Sequence, residues 1–260
     1  MELLEQQNYW EECVSITTPE ELERMRAVGA IVHRVLEEMK QAVKPGLTTA
    51  ALDAIGDKVM RDQGAQSAPA LVYRFPGRSC ISLNDEAVHG IPGDRVLQEG
   101  DLVKLDVTVE KDGFMADAAV TVPVGTVSEE KARLVACAER AFQKAMLVAR
   151  EGFRVLEIGR AVEREVRRQG FSVIRDLGGH GIGRTIHEAP RVPNYADPAA
   201  NQILSVGMVI TVEPIIAAGS GRAVLGDDGW TVKTADHKPS AHYEHTIVIT
   251  KGAPLVLTAA

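Results

Sequence analysis

Four carboxylates and one imidazole stand where ordinary packing gives them no reason to be. Asp106 and Asp117 lie in DLVKLDVTVEKDGFMADAAVT, residues 101–121, and His180 lies in GGHGIG. Glu213 interrupts the apolar run VITVEP, and Glu244 opens EHTIVI. Taken singly, each acid reads as a strand-end residue facing water. Taken together they are costly, because a carboxylate in an apolar run needs a partner or a cation. Oxygen-rich ligands with one histidine suit Mn²⁺, Fe²⁺, Co²⁺ or Zn²⁺. Four carboxylates neutralise two divalent ions, and bridging carboxylates hold such ions roughly 3.5 Å apart. Asp106, Asp117, His180, Glu213 and Glu244 therefore point to a two-metal hydrolytic centre. A phosphate loop is the other chemistry that GGHGIG suggests, but it lacks the GxGxxG order and the Lys-Ser/Thr ending.

The elements that must position these groups follow from periodicity. Val103, Leu105, Val107 and Val109 alternate with Lys104, Asp106, Thr108 and Glu110, which predicts a half-buried strand with Asp106 on its polar face. Lys111-Asp112-Gly113 is a turn signal, and a second extended run covers Phe114 to Val124. If the hairpin folds about Lys111-Asp112, Asp106 lies directly opposite Asp117, with Cβ atoms about 5 Å apart. Further strands are predicted over 70–73, 80–83, 172–174, 208–216, 230–234 and 244–249, and His180 is placed in a glycine-rich turn after a strand.

Helices are predicted from about 18 to 43, 49 to 63, 128 to 150 and 155 to 169. Thr18-Pro19-Glu20-Glu21 carries a cap, a first-turn proline and a capping-box glutamate. Aligning Pro45-Gly46-Leu47 on Glu151-Gly152-Phe153 also superposes Arg61, Gln63 and Gly64 on Arg167, Gln169 and Gly170. A period of this length suggests two related halves packed about a pseudo-twofold axis. Helices grouped with antiparallel strands give an α+β fold with helices covering one side of a sheet.

Composition narrows the function classes. The chain has 260 residues, 45% hydrophobic and 25% charged, which suits a globular protein with a sizeable core. A net charge of −7 offers no electrostatic footprint for nucleic acid. Cys13, Cys80 and Cys137 are odd in number and lack CxxC spacing, as expected of reduced thiols in a cytoplasmic protein. MELLEQQNYWEE has no basic n-region with an apolar h-region, and no apolar run is long enough to cross a bilayer. Tyr9 and Trp10 are expected to pack on the surface of the helices and strands that come after them in the chain. No association surface stands out, so a monomer is expected.

The motifs KLDVTVEKDGFMAD, GGHGIGRTIHEAP, ITVEPII and AHYEHTIVIT, within about 18–257, resemble those of the methionine aminopeptidases in their bacterial type I form. The resemblance implies the pita-bread fold, with residues 1–17 as a lead, 18–260 as one catalytic domain, and halves of about 18–125 and 126–260. It implies two divalent ions, Co, Mn, Fe or Zn. Asp106 and Asp117 would hold one with Glu244 bridging; Asp117, Glu244, His180 and Glu213 would hold the other. Glu213 would be the general base for the attacking water. His187 would stabilise the oxyanion, and His89 would contact the substrate amide and help the leaving amine. The methionine pocket would be walled by Cys80, His89, Phe75 and Trp230, with Tyr73 and Ile186. Ile186 stands where many relatives carry an aromatic residue, and YRFPGRSC is shorter than the usual family loop. The implied activity is removal of initiator methionine before a small second residue, with nascent N-termini as partners and transient contact with the ribosome. Xaa-Pro aminopeptidases and prolidases use the same five ligand types, but usually carry a further N-terminal domain. A non-catalytic binding protein of the same fold is the third reading.

Overall fold

The structure is a computed structural model that describes residues 16–259. The expected packing of Tyr9 and Trp10, the state of Cys13 and most of the 1–17 lead lie outside the described residues.

Helix α1 (Pro19–Ala42) begins as the sequence requires. The Glu21 amide donates to the Thr18 hydroxyl, the Thr18 amide donates to the Glu21 carboxylate, and Pro19 occupies the first turn. Helix α2 (Thr49–Asp62) is capped by the Thr48 hydroxyl. A short helix α3 (Ala68–Tyr73) stands where a strand over 70–73 is expected. Ser67 caps it and Pro69 fits its first turn; together they outweigh the β preference of Leu71, Val72 and Tyr73. Helices α4 (Glu129–Met146) and α5 (Val155–Arg168) complete the set.

The internal repeat is visible in backbone hydrogen bonds. Gly46 N donates to Leu97 O, and Leu97 N to Leu47 O. In the second half Gly152 N donates to Leu204 O, and Leu204 N to Phe153 O. Likewise Ala65 N donates to Met60 O, as Phe171 N does to Val166 O. The helix pairs α1/α2 and α4/α5 are thus tied down by equivalent turns and bridges, one in each half.

Among the described residues, the main sheet has nine strands. Across it run Gln66–Ser67, Leu102–Lys111, Phe114–Pro123, Glu244–Val248, Val209–Val212, Gly178–Gly181 and Glu188–Pro193; Cys80–Leu83 and Leu255–Val256 pair off this path. Neighbours along it are antiparallel. Val103, Leu105, Val107 and Val109 pack with α1 and α2, while Ile210, Val212 and Ile247 pack with α4 and α5. The opposite face carries Lys104, Asp106, Thr108 and Asp117. The half-buried expectation fails there, because Lys104, Thr108 and Asp117 are also buried: Thr108 and Asp117 line a cavity, and the Lys104 ammonium donates to the Asn84 carbonyl.

Two further details differ from expectation. The hairpin turns on Asp112-Gly113, both at positive φ, so Thr108 lies opposite Asp117 and Asp106 opposite Ala119. The shift is by two residues, so Asp106 and Asp117 keep one face but become diagonal neighbours. The run 208–216 is not one strand. Pro214 has no N–H for the ladder, and the chain leaves the main sheet after Val212 to form Ile215–Ala217 in a small sheet with Ser172–Val173 and Ser240–His242.

In α5, buried Glu165 accepts two hydrogen bonds from the Arg168 guanidinium, at 3.0 and 2.7 Å, and one from the Gln169 amide. The Arg168 hydrogen bond is the main cause holding the Glu165 carboxyl below its ordinary range. A depressed folded-state value means that this stabilisation is present above the unfolded-state value and lost as pH falls through the folded one. Glu165→Gln therefore lowers stability at pH 7 by about 1–2 kcal/mol, after discounting for the exposed Arg168 side chain. Chemical denaturation at stepped pH checks this: the gap between variant and native protein closes below about pH 4.

Candidate metal centre

Five adjacent strands each bring one candidate ligand to the same face. In order across the sheet these are Asp106, Asp117, Glu244, Glu213 immediately after its strand, and His180. Ala119 faces both Asp106 and Glu244, one on each neighbouring strand, and its small side chain leaves the space between them open. Gly178–Gly181 is a strand, where the glycines predict a turn around His180. They serve close approach instead: a Cβ on Gly179 would stand 2.3 Å from the Thr211 carbonyl oxygen, and one on Gly181 would stand 2.1 Å from that of Ala189. The backbone can therefore lie against its neighbours and hold the His180 ring in the cavity wall.

All the candidate residues converge. A cavity of about 570 Å³ is lined by Asp106, Asp117, His180, Glu213 and Glu244, and also by His89, His187, Cys80, Tyr73, Phe75, Ile186 and Trp230. Ligand atoms of Asp117, His180 and Glu244 lie within 4.8 Å of one another, as do those of Glu213, His242 and Glu244. Asp117 Oδ1 and Glu244 Oε1 are buried without a hydrogen-bond partner. Burial, reinforced by neighbouring carboxylates, pushes Asp106 and Glu244 well above the usual carboxylate range. Burial also raises Asp117 to about 6, against hydrogen bonds that lower it, and with the Asp117 charge raises Glu213 to about 8. Burial lowers the His180 imidazolium to about 4, which keeps the ring neutral as a metal ligand must be. Unpartnered carboxylate oxygens packed together, beside a neutral imidazole, fit divalent cations.

Hydroxyls fix the carboxylates. Thr108 donates to Asp117 Oδ2 at 2.8 Å, and Thr211 donates to Glu213 Oε1 at 3.1 Å while accepting from the His180 amide. The Asn194 amide satisfies the Glu213 carbonyl, where Pro214 interrupts the ladder. Thr108 is legible from its place on the polar face of its strand, whereas Thr211 and Asn194 give no local signal. His242 is a further residue that the motifs do not single out. It lies two positions before Glu244, so the strand period puts both on one face.

The rest of the cavity is more varied. Phe75 and Trp230 meet edge to face, with ring centroids 5.2 Å apart. Ile186 is buried beside His187. Cys80 pairs across the sheet with Asp106, and burial with the nearby carboxylates pushes its thiol well up, so it is a neutral packing group and not a nucleophile. His89 holds a left-handed backbone, φ 58°, and desolvation at the crowded wall lowers its imidazolium. Tyr73, expected only as pocket wall, does more. Its hydroxyl lies 2.6 Å from His187 Nδ1, and the His187 ring stands edge-on to His180 at 4.3 Å between centroids.

An α+β sheet with this carboxylate–imidazole cluster on its open face defines a metallohydrolase. The family model for metallopeptidase family M24 matches residues 23–251, and the chain belongs to that family. It is 47% identical over 245 residues to methionine aminopeptidase 2 of Bacillus subtilis, covering 94% of this chain and 98% of that protein. The crystal structure of methionine aminopeptidase from Thermotoga maritima superposes with a TM-score of 0.92 at 35% identity, over 95% of this chain and all of the other. The prolidase of Pyrococcus horikoshii shares the fold, with a TM-score of 0.75 at 22% identity over 94% of this chain and 63% of that protein. The expected pita-bread architecture is therefore present.

If the cluster holds divalent cations, protein stripped with EDTA gains stability when they return. At a free Mn²⁺ or Co²⁺ concentration about 100-fold above Kd the gain is about 2.7 kcal/mol, a rise in Tm of about 5–10 °C for a chain of this size. Thermal melts of the stripped protein check it, and the double change Asp117→Asn with Glu244→Gln removes the rise.

Proposed function

We propose that this chain is a metal-dependent methionyl aminopeptidase, which removes the first methionine from a polypeptide whose second residue is small. The observation that carries the reading is the convergence of the five ligand candidates, two further histidines and an apolar wall on one cavity. Relatives named methionine aminopeptidases match almost end to end, whereas prolidases match at low identity over part of their length. These comparisons favour the methionine reading over the Xaa-Pro one, and the intact cluster disfavours a non-catalytic binding role.

Asp106, Asp117, His180, Glu213 and Glu244 would hold the cations. When bound, divalent metal supplies Lewis-acid polarisation of the scissile carbonyl and a nucleophilic oxygen at neutral pH. Thr211 engages Glu213 Oε1, which leaves Oε2 to accept the proton of the attacking water. Tyr73 engages His187 Nδ1, which leaves Nε2 to meet the carbonyl oxygen as negative charge develops there. His89, in the same cavity lining, would contact the substrate amide and help deliver the proton to the departing amine as the C–N bond breaks. Phe75, Trp230, Cys80 and Ile186, with Tyr73 and His89 at the margin, would enclose the methionine side chain; sulfur–aromatic contacts favour a thioether there.

The catalytic unit would run from about 18 to 260 in halves meeting near residue 125, with 1–17 as a lead. Nascent N-termini would be its partners, met in the cytoplasm as a monomer in transient contact with the ribosome. No helix among the described residues is long and apolar enough to cross a membrane.

Methionine release from the peptide Met-Ala-Ser tests the reading. Release stops with EDTA and returns with Mn²⁺ or Co²⁺, and a bulky second residue in place of alanine suppresses it. Glu213→Gln lowers kcat about 10²- to 10⁴-fold. No release by folded protein under any metal rejects the assignment, and cleavage of Xaa-Pro peptides instead supports the prolidase-like alternative.

A further inference from the structure

His242 is 2% exposed, and neither ring nitrogen has a hydrogen-bond partner. A buried imidazole with both nitrogens unsatisfied is rare and needs an explanation. The ring belongs to the strand Ser240–His242, which pairs with Ile215–Ala217, so it stands beside the point where Glu213 leaves the main sheet. Its backbone is held firmly: the His242 amide donates to the Thr121 hydroxyl, which donates in turn to the His242 carbonyl.

The ring points into the carboxylate cluster. His242 Nε2 is 3.1 Å from Glu244 Oε2 and 3.8 Å from Glu213 Oε2. The first distance suits a hydrogen bond, yet the ring nitrogen makes none, because the carboxylate oxygen lies off the axis along which an N–H would point. Two donors that converge on one ion have this relation: each lone pair aims at the ion, not at the other donor. With metal–ligand distances of about 2.1 Å, donors at a right angle stand about 3.0 Å apart. Glu213, His242 and Glu244 together present ligand atoms within 4.8 Å of one another.

We infer that His242 is a sixth protein ligand of the centre, which gives it four carboxylates and two imidazoles. The inference rests on the metal-dependent reading of the same cluster. A second imidazole favours borderline cations such as Co²⁺ and Zn²⁺ over Mn²⁺ and Mg²⁺, which prefer oxygen donors. A positioning role for His242, with the ring donating to Glu244 and no metal contact, is the competing account. Its loss would also weaken metal binding, so affinity alone does not separate the two.

Proton NMR of the full chain loaded with Co²⁺ separates them, because each coordinated imidazole contributes its own solvent-exchangeable, hyperfine-shifted N–H resonance. Native protein is expected to show two such resonances and His242→Gln one, with the variant shown to be folded by its melting transition and His242→Asn as a second replacement. Titration is expected to show Co²⁺ affinity falling at least tenfold in both variants, and the preference for Co²⁺ over Mn²⁺ narrowing. A single resonance in native protein, or the same two in the variants, overturns the inference while leaving the metal centre standing. Native protein that takes up no Co²⁺ overturns both.

Discussion

The fold depends on how it handles negative charge. Asp106, Asp117, Glu213 and Glu244 come from neighbouring parts of one sheet and share a cavity that offers them few hydrogen bonds. Ionised together without a cation they repel one another in a poorly screened environment, and burial then favours their neutral forms. The raised values of all four carboxyls express this conflict. Cations resolve it, and the local departures from regular sheet structure make room for them. The strand break at Pro214, the small Ala119 between two acids, and the glycines that bring the His180 strand close all shape the same space.

Groups placed so unfavourably need a rigid support. The two helix pairs provide it from behind the sheet, each tied by the same pattern of turn and bridge hydrogen bonds. The first pair packs on the strands that bring Asp106 and Asp117, and the second packs behind those that bring Glu213 and Glu244. Each half therefore contributes part of the ligand set, and the central pairing of Phe114–Pro123 with Glu244–Val248 joins them. A site spread over five strands of one continuous sheet is held more tightly than one carried on loops.

Much of this is legible in the sequence for physical reasons. The capping box at Thr18, the alternation around Asp106 and the paired Gly and Gln-Gly punctuation are local signals, and they place helices, faces and the repeat correctly. The hairpin register is harder, because Lys111-Asp112 and Asp112-Gly113 both suit a turn, and only the positive φ preferred at both central positions of a type I′ turn selects the second. The helix at Ala68–Tyr73 resembles a strand because side-chain β preference hides a serine cap and a first-turn proline. The glycines around His180 suggest a turn because glycine often means backbone freedom, when here it means close approach. His242 lies within AHYEHTIVIT without being singled out by it, although its two-residue spacing from Glu244 puts it on the same face. Asn194 reaches Glu213, and Thr211 reaches His180, across long sequence separations that no local pattern reveals.

The contact between Tyr73 and His187 connects the mouth of the cavity to its chemistry. Tyr73 closes a short helix whose Leu71, Val72 and Tyr73 side chains are exposed, and Tyr73 itself lines the cavity. Its hydroxyl engages Nδ1 of His187, and so leaves Nε2 as the available nitrogen. The YRFPGRSC segment is therefore more than a pocket wall. Phe75 packs against Trp230 and Tyr73 against His187, so on the proposed function the two aromatics would divide the work between enclosing a side chain and orienting a catalytic ring. On the proposed function, a peptide that displaces Tyr73 would release the constraint on His187. Occupancy of the cavity and charge stabilisation at the carbonyl would thereby be linked through one hydrogen bond.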